Sequence, residues 1–208
     1  ATGGTIKHLN QNILVDFPVV LPDKEEQSKI GEYFQGIDNL ITLHQCKLEK
    51  TKEIKKAYLS EMFPAEGERK PKRRFAGFTD DWEQRKLGEI TSLITKGTTP
   101  KDKTGNGDVN FIKVENIDSS SGKISGTSKI SNEENEGYLK RSQLQENDIL
   151  FSIAGTLGRV TSVTKQILPA NTNQALAIIR LKEGYLDYVK TCLKGNVVEE
   201  FIRKNPTI

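Results

Sequence analysis

The stretch DKEEQSKIGEYFQGIDNLITLHQCKLEKTKEIKKAYLSEM, residues 23–62, decides the fold of this chain. It contains no proline, and Asp23 can cap its start, with two glutamates in the first turn where the helix dipole favours negative charge. Pro64 and Gly67 follow it and predict its end. A helix of about 38 residues would be about 57 Å long. That exceeds a small domain, so we expect much of the helix to pack on another helix.

Apolar residues recur along one side of this helix at the spacing of a heptad repeat. His44, Thr51 and Lys55 occupy the remaining positions of this seam. A seam with polar interruptions is typical of helices that pair in one defined register. The residues that we expect to pair are Ile30, Phe34, Ile37, Ile41, Leu48, Tyr58 and Met62.

Residues 1–22 precede the helix and contain an apolar run from Ile13 to Leu21. This run, bounded by Asn12 and Pro22, predicts one or two buried strands. So short a segment cannot build a core alone. We therefore expect residues 1–22 to be the tail strands of a domain whose body lies elsewhere in the sequence.

Residues 63–77 form a basic linker, in which five basic residues lie between positions 69 and 74 around Pro71. Such a run is commonly a solvated face. At a junction between two domains it could also contact a phosphate backbone. The sequence leaves both interpretations open for Arg69, Lys70, Lys72, Arg73 and Arg74.

Residues 78–208 predict a second domain of the α+β class, with a twisted β-sheet, flanking helices and long polar loops. Polar loops on a rigid frame are where recognition residues are usually found. The predicted strands are 89–95, 109–114, 148–153, 159–163 and 175–181, and the predicted C-terminal helix is 185–204.

The composition excludes some classes of protein and leaves others open. A net charge of +3, from 31 basic and 28 acidic residues, argues neither for nor against nucleic acid. No apolar stretch approaches the roughly 20 residues that a membrane span needs. Cys46 and Cys192 lie far apart in the sequence, and we expect both to be reduced thiols. We expect a cytoplasmic protein with no membrane partner. The single methionine, Met62, is internal, so we also expect part of a longer protein.

Catalytic signatures are weak or missing. The pair Gly122-Lys123 is followed by isoleucine, where a phosphate-binding loop has a metal-binding hydroxyl. The two histidines, His8 and His44, fit structural roles. Asp108 and Glu115 could imitate part of a nuclease metal site, but the lysine that completes such a site does not follow. We expect no catalytic residue and no metal ligand in this chain.

Two groups of segments follow one another along the chain. The first is PDKEEQSKI (22–30) and IDNLI (37–41), and the second is RFAGFTDDWE (74–83), KLGEI (86–90), KGTTP (96–100), FIKVENI (111–117) and DILFSIAGTLGR (148–159). In this order the first group resembles the central region, and the second the target-recognition domains, of the specificity subunits of Type I restriction–modification systems.

The resemblance implies a non-catalytic DNA-recognition subunit. A full subunit of the family has two target-recognition domains, each reading one half of a bipartite site in double-stranded DNA, joined by two long antiparallel helices. Methylation with S-adenosylmethionine belongs to modification subunits docked on the helices, and cleavage belongs to a restriction subunit with an ATP-driven motor. The resemblance therefore implies no cofactor in this chain, with S-adenosylmethionine, ATP and Mg²⁺ on partner subunits.

This chain departs from the family pattern, because it has one long helix and one recognition domain. We expect residues 1–22 to complete the body formed by residues 78–208, within one chain or exchanged between two. We expect the lone helix to pair with its copy in a homodimer.

For DNA reading we expect cations on phosphates and polar side chains at base edges. The alternatives are solubility for each lysine, turn capping for each asparagine, and an ordinary hairpin for the loop at Gly155. Besides the linker cations and Lys103, the expected DNA-binding residues are Lys96, Gly97, Thr98, Thr99, Lys101, Lys113, Asn116, Gly155, Thr156, Arg159, Asn171, Asn173 and Gln174.

Two other functions remain as alternatives. A coiled-coil scaffold or adaptor without DNA binding explains the helix and the missing catalytic residues. It does not explain the basic linker or the Gly-Thr-Thr-Pro loop. A small nuclease is the enzymatic alternative. The sequence specifies neither the target bases nor the spacer between half-sites, and residues 47–56 are our prediction for the helix face that meets a modification subunit.

Overall fold

The structure is a computed structural model that describes residues 14, 15, 17–102, 104–182, 184 and 186–204. The chain divides into two compact units, residues 1–53 and residues 54–208. Among the described residues, no helix combines the length and hydropathy that a membrane crossing needs.

The predicted long helix is confirmed as α1, Lys24–Glu61. Its start is capped as expected, because the Asp23 carboxylate accepts a hydrogen bond from the backbone N–H of Glu26 at 2.9 Å. Helix α1 has no buried residue. In the described part of the chain, nothing buries the seam: Ile30 is 45% and Phe34 61% exposed.

The described residues ahead of α1 do not form the predicted strands. Leu14 and Val15 lie in a helical turn, and residues 17–23 are irregular. Their apolar side chains are exposed, up to 94% for Val20. The strand prediction is wrong here because Pro18 and Pro22 lack the N–H that a β-ladder needs. Ile13 lies outside the described residues, and the packing of residues 1–22 onto the domain body stays a prediction.

The second unit has the predicted α+β architecture. Its helices are α2 (Leu87–Ile90), α3 (Asn132–Glu136), α4 (Leu186–Leu193) and α5 (Asn196–Lys204). Its strands are β1 (Thr91–Lys96), β2 (Val109–Ile112), β3 (Ser128–Ile130), β4 (Ile149–Ser152), β5 (Val160–Ser162), β6 (Ala170–Thr172) and β7 (Leu176–Leu181). Single 3₁₀ turns occur at Val114–Asn116, Lys140–Ser142 and Lys165–Ile167.

The strands form two sheets instead of the single sheet that the sequence predicts. The four-stranded sheet has the order β1-β7-β4-β5, with every neighbouring pair antiparallel. The three-stranded sheet has the order β3-β2-β6, and β2 and β6 are parallel. The prediction missed β3 and β6, which have three residues each.

Both faces of the four-stranded sheet are buried, and the alternation of side chains along a strand explains how. In β7, Leu176 and Ile178 belong to one hydrophobic cluster, together with Ile112 of the three-stranded sheet. Ile179 belongs to a second cluster, against which Val189 of α4 packs. Strand β7 therefore lies between the other sheet and helix α4.

The predicted C-terminal helix, 185–204, is two helices in the structure. Helix α4 ends at Leu193 and α5 begins at Asn196. The chain turns between them, where the backbone N–H of Gly195 donates to the carbonyl of Cys192 at 2.9 Å. Glycine is a poor helix residue, which accounts for the break. Residue 185 lies outside the described residues.

Within the second unit, the basic linker is fixed by aromatic side chains. Phe63, at the end of α1, lies 6.3 Å from Trp82 and 5.8 Å from Tyr188 of α4, between ring centroids. The Arg73 guanidinium pairs with Glu61 at 2.7 Å, and this hydrogen bond raises the pKa of Arg73. These contacts attach the linker to the end of α1 and to α4.

Among the described residues of the second unit, the most buried ion pair joins Arg180 of β7 to Asp148, just ahead of β4. Asp148 is fully buried, and its two carboxylate oxygens accept hydrogen bonds from Nε and Nη2 of Arg180 at 2.7 and 2.8 Å. A third hydrogen bond comes from the backbone N–H of Gln145 at 2.7 Å. The side-chain hydrogen bond to Asp148 raises the pKa of Arg180. The pair ties β7 to the loop ahead of β4.

We expect Asp148→Ala to lower the free energy of unfolding by about 3 kcal/mol, because it leaves the partly buried Arg180 without its counter-ion. Asp187→Ala is the matched control, since Asp187 is 88% exposed in its pair with Lys190 and such pairs contribute under about 1 kcal/mol. Urea unfolding of the purified chain measures both. Equal losses for the two variants would contradict the role of the buried pair.

Candidate nucleic-acid interface

Three loops converge at one end of the four-stranded sheet because of its strand directions. Strand β1 ends at Lys96 opposite Ala177, and β4 ends at Ser152 opposite Leu176. Strand β7 begins at that same end. The loops at 97–102 and 153–158 and the turn at 173–175 are therefore neighbours, and we call this region the loop end.

The 97–102 loop begins with a backbone contact that only glycine permits. A Cβ atom on Gly97 would lie 2.1 Å from the carbonyl oxygen of Thr172. The backbone N–H of Gly97 donates to Leu176 at 3.2 Å, and that of Thr98 donates to Thr172 at 3.1 Å. The glycine was predicted to allow close approach to DNA. In the structure it allows close approach to the 173–175 turn.

Side chains extend this contact to the surface. The Thr99 hydroxyl donates to the side-chain oxygen of Gln174, and both residues are exposed. The Arg141 guanidinium lies 3.4 Å from the Thr98 hydroxyl. Asn173 is half-buried, and its side-chain oxygen accepts from the backbone N–H of Ala175 at 3.2 Å. The structure thus brings together four residues that the sequence analysis placed in two separate segments: Thr98, Thr99, Asn173 and Gln174.

The far side of the 97–102 loop is held by residues that the sequence analysis did not select. The Glu134 carboxylate accepts hydrogen bonds from the backbone N–H groups of Lys101 and Asp102. The Lys101 ammonium lies 4.3 Å from the ring centroid of Tyr138, within cation–π range. Ser131 caps α3 by accepting from the N–H of Glu134 at 3.2 Å. The spacing of Ser131 and Glu134 is a helix-start signal, but nothing local predicts their distant partner.

The 153–158 loop closes a hairpin between β4 and β5. The Ser152 hydroxyl donates to the carbonyl of Thr156 at 2.6 Å and accepts from the N–H of Arg159 at 2.7 Å. Gly155 and Gly158 have φ values of 71° and 79°, which favour glycine. The Thr156 side chain is exposed at the loop end.

Three of the predicted DNA-binding residues make hydrogen bonds within the domain. Asn171 is fully buried and donates to Asn135 at 2.9 Å and to the carbonyl of Leu139 at 3.0 Å. The Asn116 amide accepts from the N–H of Lys113 at 2.8 Å and donates to Gly126 at 2.7 Å. In the structure both ends of each amide therefore make hydrogen bonds within the domain, and base reading by these two asparagines stays a prediction.

Arg159 is the third predicted DNA-binding residue that makes hydrogen bonds within the domain. Its Nη1 donates to the carbonyl oxygens of Val114 at 3.1 Å and Ile117 at 2.6 Å, and its Nε is buried. The side chain therefore ties the start of β5 to the 3₁₀ turn after β2, and the predicted phosphate contact stays a prediction. A lone arginine in a Gly-rich loop does not reveal from sequence whether it points outward or inward.

The remaining predicted cations differ in position. Lys96 is exposed at the end of β1. Lys113 is half-buried and lies 3.9 Å from Glu115. Lys103 lies outside the described residues. In the linker, Arg74 donates to the carbonyl of Asp80 at 2.7 Å, and Lys70 pairs with Asp81 at 3.0 Å. With Arg73, three of the five linker cations thus have partners within the protein.

The loop end presents hydroxyls, amides and cations, a combination that suits a polar, anionic partner. Lys96, Lys101 and Arg141 are exposed there. Acidic residues lie beside these cations as well. Glu134 holds the 97–102 loop, and hydrogen bonds from the backbone N–H and the hydroxyl of Thr104 lower the pKa of Asp102. Among the described residues, no three His, Cys, Asp or Glu side chains lie close enough to hold a metal ion.

The fold and this site define a class of protein: an α+β recognition domain with polar loops at one end, attached to a long helix. A family model for the Type I restriction modification DNA specificity domain matches residues 1–56 and 79–197. The chain therefore belongs to the Type I restriction–modification DNA specificity family, which the sequence resemblance predicted.

Individual relatives agree with this assignment. The chain is 27% identical over 199 residues to the Type I restriction enzyme EcoBI specificity subunit of Escherichia coli, covering 87% of this chain and 41% of that protein. The HsdS subunit from Thermoanaerobacter tengcongensis superposes with a TM-score of 0.56 at 19% identity, over 90% of this chain and 44% of that chain. A chain from a study of complex assembly and conformational transition of the type I R-M system superposes with a TM-score of 0.58 at 18% identity. The match covers 97% of this chain and 48% of that chain. The chain thus spans less than half the length of these relatives.

We expect Gly97→Ala to lower the free energy of unfolding by about 1–3 kcal/mol, because the added methyl overlaps the Thr172 carbonyl. Gly88→Ala is the matched control, since a Cβ at Gly88 meets nothing within 4 Å. Chemical denaturation measures both. If Gly97→Ala is as stable as the unmodified chain, the loop does not pack on the 173–175 turn as described.

Proposed function

We propose that the second unit reads one half-site of a bipartite target in double-stranded DNA, and that α1 docks it to the other subunits of a Type I restriction–modification enzyme. The observation that carries the proposal is the loop end. Exposed cations at Lys96, Lys101 and Arg141 surround a hydrogen-bonded patch at Thr99 and Gln174.

Each kind of group at the loop end has a task in DNA reading. Lysines neutralise phosphates and supply affinity that falls with salt, whereas side chains at base edges supply specificity. Arg141 and Gln174 carry the groups that pair bidentately with guanine and adenine in the major groove. Thr99 positions Gln174 through its hydrogen bond. Arg141 has no ion pair in the described part of the chain, so its guanidinium is available to a base or phosphate.

The chain contributes recognition and no catalytic step in this proposal. Methyl transfer from S-adenosylmethionine takes place on the modification subunits, and ATP-driven cleavage, with ATP and Mg²⁺, on the restriction subunit. The support is membership of the specificity family together with side chains at the loop end that bind and orient.

Helix α1 supplies the docking surface in the proposal. A broad apolar stripe that includes Tyr33, Leu40, Ile41 and Leu48 is exposed, at 50–68%. Helices in proteins are stabilised chiefly by packing of such a face. A second copy of α1 pairs with it, and the modification subunits contact the charged residues 47–56. A pair of chains then presents two identical recognition domains.

Methylome sequencing tests this function in cells that express the chain with a matching modification subunit. We expect new methylation at a symmetric bipartite site, because two copies of one domain read both halves. We expect Arg141→Ala to reduce methylation at that site by about tenfold or to relax one base position, as the loss of a reading arginine costs about 1–3 kcal/mol.

Lys182→Ala is the matched control, because Lys182 follows β7 at the opposite end of the sheet from the loop end. The control should leave the methylated sequence unchanged. Assembly of the complex without new methylation would contradict half-site reading. The scaffold alternative, which the exposed helix also supports, predicts that duplex binding does not fall steeply with salt.

The helix pairing has its own test, the mass of the purified chain by sedimentation equilibrium. We expect a dimer. Ile41→Glu should weaken it roughly 100-fold, because each copy buries an isoleucine in the pairing. Asn39→Glu is the control, since residue 39 lies half a helical turn away from the stripe. A monomeric unmodified chain at micromolar concentration, or equal effects of the two changes, would contradict the pairing.

A further inference from the structure

A cleft with a volume of about 390 Å³ lies along the edge strand β5, away from the loop end. Its walls come from the turn at 121–124, from β5 with the residues that follow it, and from the C-terminal part of α4. The polar groups that line it include Thr161, Ser162, Thr164, Lys123, Lys190 and Lys194. Its floor includes apolar Ile124, Val160 and Ile167.

The three lysines concentrate positive charge in a small space. Lys190 lies in α4 and Lys194 directly follows its end, and both line the cleft, where like charges repel. Burial first, and then the charges of Lys55 and Lys190, lower the pKa of Lys194. An arrangement of cations that repel each other costs stability unless an anion relieves it.

Acidic side chains in the protein neutralise only part of this charge. Lys190 pairs with Asp187 at 2.7 Å and lies 3.4 Å from the Ser162 hydroxyl. Lys123 and Lys194 have no ion pair within the described chain. Asp118 is a second acidic group near the cleft. Its Oδ1 accepts hydrogen bonds from the hydroxyl and the N–H of Ser121 at 2.7 Å, which lower the pKa of Asp118 and favour its charged form, and it makes no ion pair within the described residues.

The walls also supply hydroxyl groups suited to an oxyanion. Ser162 and Thr164 line the cleft beside the lysines. The Thr161 hydroxyl is already used, because it donates to the carbonyl of Gly122 at 2.5 Å. Lysine ammonium groups bind phosphate as point charges, and hydroxyls donate to its remaining oxygens. The volume is at the lower end of the range for small-molecule sites.

The Gly122-Lys123 pair takes part in this cleft without forming a phosphate-binding loop. Ile124 is joined to Ile117 by a β-bridge, and no helix follows the pair. The anion-binding groups of a phosphate-binding loop are backbone N–H groups at a helix start, whereas here they are the side chains of three lysines.

We propose that this cleft binds a phosphoryl group through Lys123, Lys190 and Lys194. The group comes either from a free phosphate compound or from the backbone of DNA that runs past β5. The inference does not depend on base reading at the loop end.

The first test is an NMR titration of the full chain with sodium pyrophosphate at constant ionic strength. We expect saturable shifts of the amide signals of Gly122, Lys123 and Lys194. Lys194→Met should weaken binding about tenfold, the cost of one charged hydrogen bond. Lys165→Met is the matched control, which removes the same charge beside the cleft. It should leave pyrophosphate binding unchanged, because Lys165 does not line the cleft. Shifts that do not saturate, or equal effects of the two variants, contradict a free phosphate ligand.

The second test measures binding of a double-stranded DNA fragment by the same variants. Weaker binding by Lys123→Met and Lys194→Met, with Lys165→Met unchanged, identifies the ligand as the DNA backbone. If neither pyrophosphate nor DNA binding depends on these two lysines, the cleft proposal is overturned. The proposal that the chain directs site-specific methylation by the modification subunit would still stand in that case. The two proposals therefore fail separately.

Discussion

The antiparallel pairing of β7 with both β1 and β4 is the constraint on which the rest of the second unit depends. It makes β7 a central strand, with Ile178 directed into one hydrophobic cluster and Ile179 into the other. The same pairing reverses the chain direction at each step across the sheet. The ends of β1 and β4 and the start of β7 therefore coincide. One set of backbone hydrogen bonds both forms the core and assembles the loop end.

Polar residues near the loop end divide into those that build the frame and those that face solvent. The Asn171 amide and Nη1 of Arg159 donate to backbone carbonyl groups inside the domain. Thr99, Gln174 and Arg141 remain at the surface. The inner residues hold the loops in place, so the outer ones can meet a ligand with little further ordering. A pre-ordered site loses less conformational entropy on binding.

The sequence predicted the elements that local signals specify and missed those that depend on distant partners. Helix α1 has its cap at Asp23 and its heptad spacing within one continuous stretch, so its bounds were predicted to within a residue. Strands β4 and β7 are mostly apolar, each with one polar residue, Ser152 and Arg180, and both were also found. Strand β6 was missed because two of its three residues, Asn171 and Thr172, are polar and yet fully buried. Such burial follows from hydrogen bonds that no local pattern shows.

The candidate site shows the same limit. The sequence analysis selected the Gly-Thr-Thr-Pro loop for its composition. It selected Gln174, the partner of that loop, for its amide side chain. Their contact spans 75 positions of sequence, which no spacing rule predicts. Glu134 and Arg141 were missed because their roles arise only when α3 and the turn after it pack beside the loop.

The separation of the frame from the exposed loops has a consequence for how recognition can change. Substitutions at Thr99, Gln174 or Arg141 alter exposed groups and leave both hydrophobic clusters of β7 intact. Surface substitutions of this kind usually change stability by less than about 0.5 kcal/mol. The apolar stripe of α1 lies in a different part of the sequence, and its heptad spacing is independent of the loops. In the proposed function, target preference can therefore change while the core and the helix face stay constant.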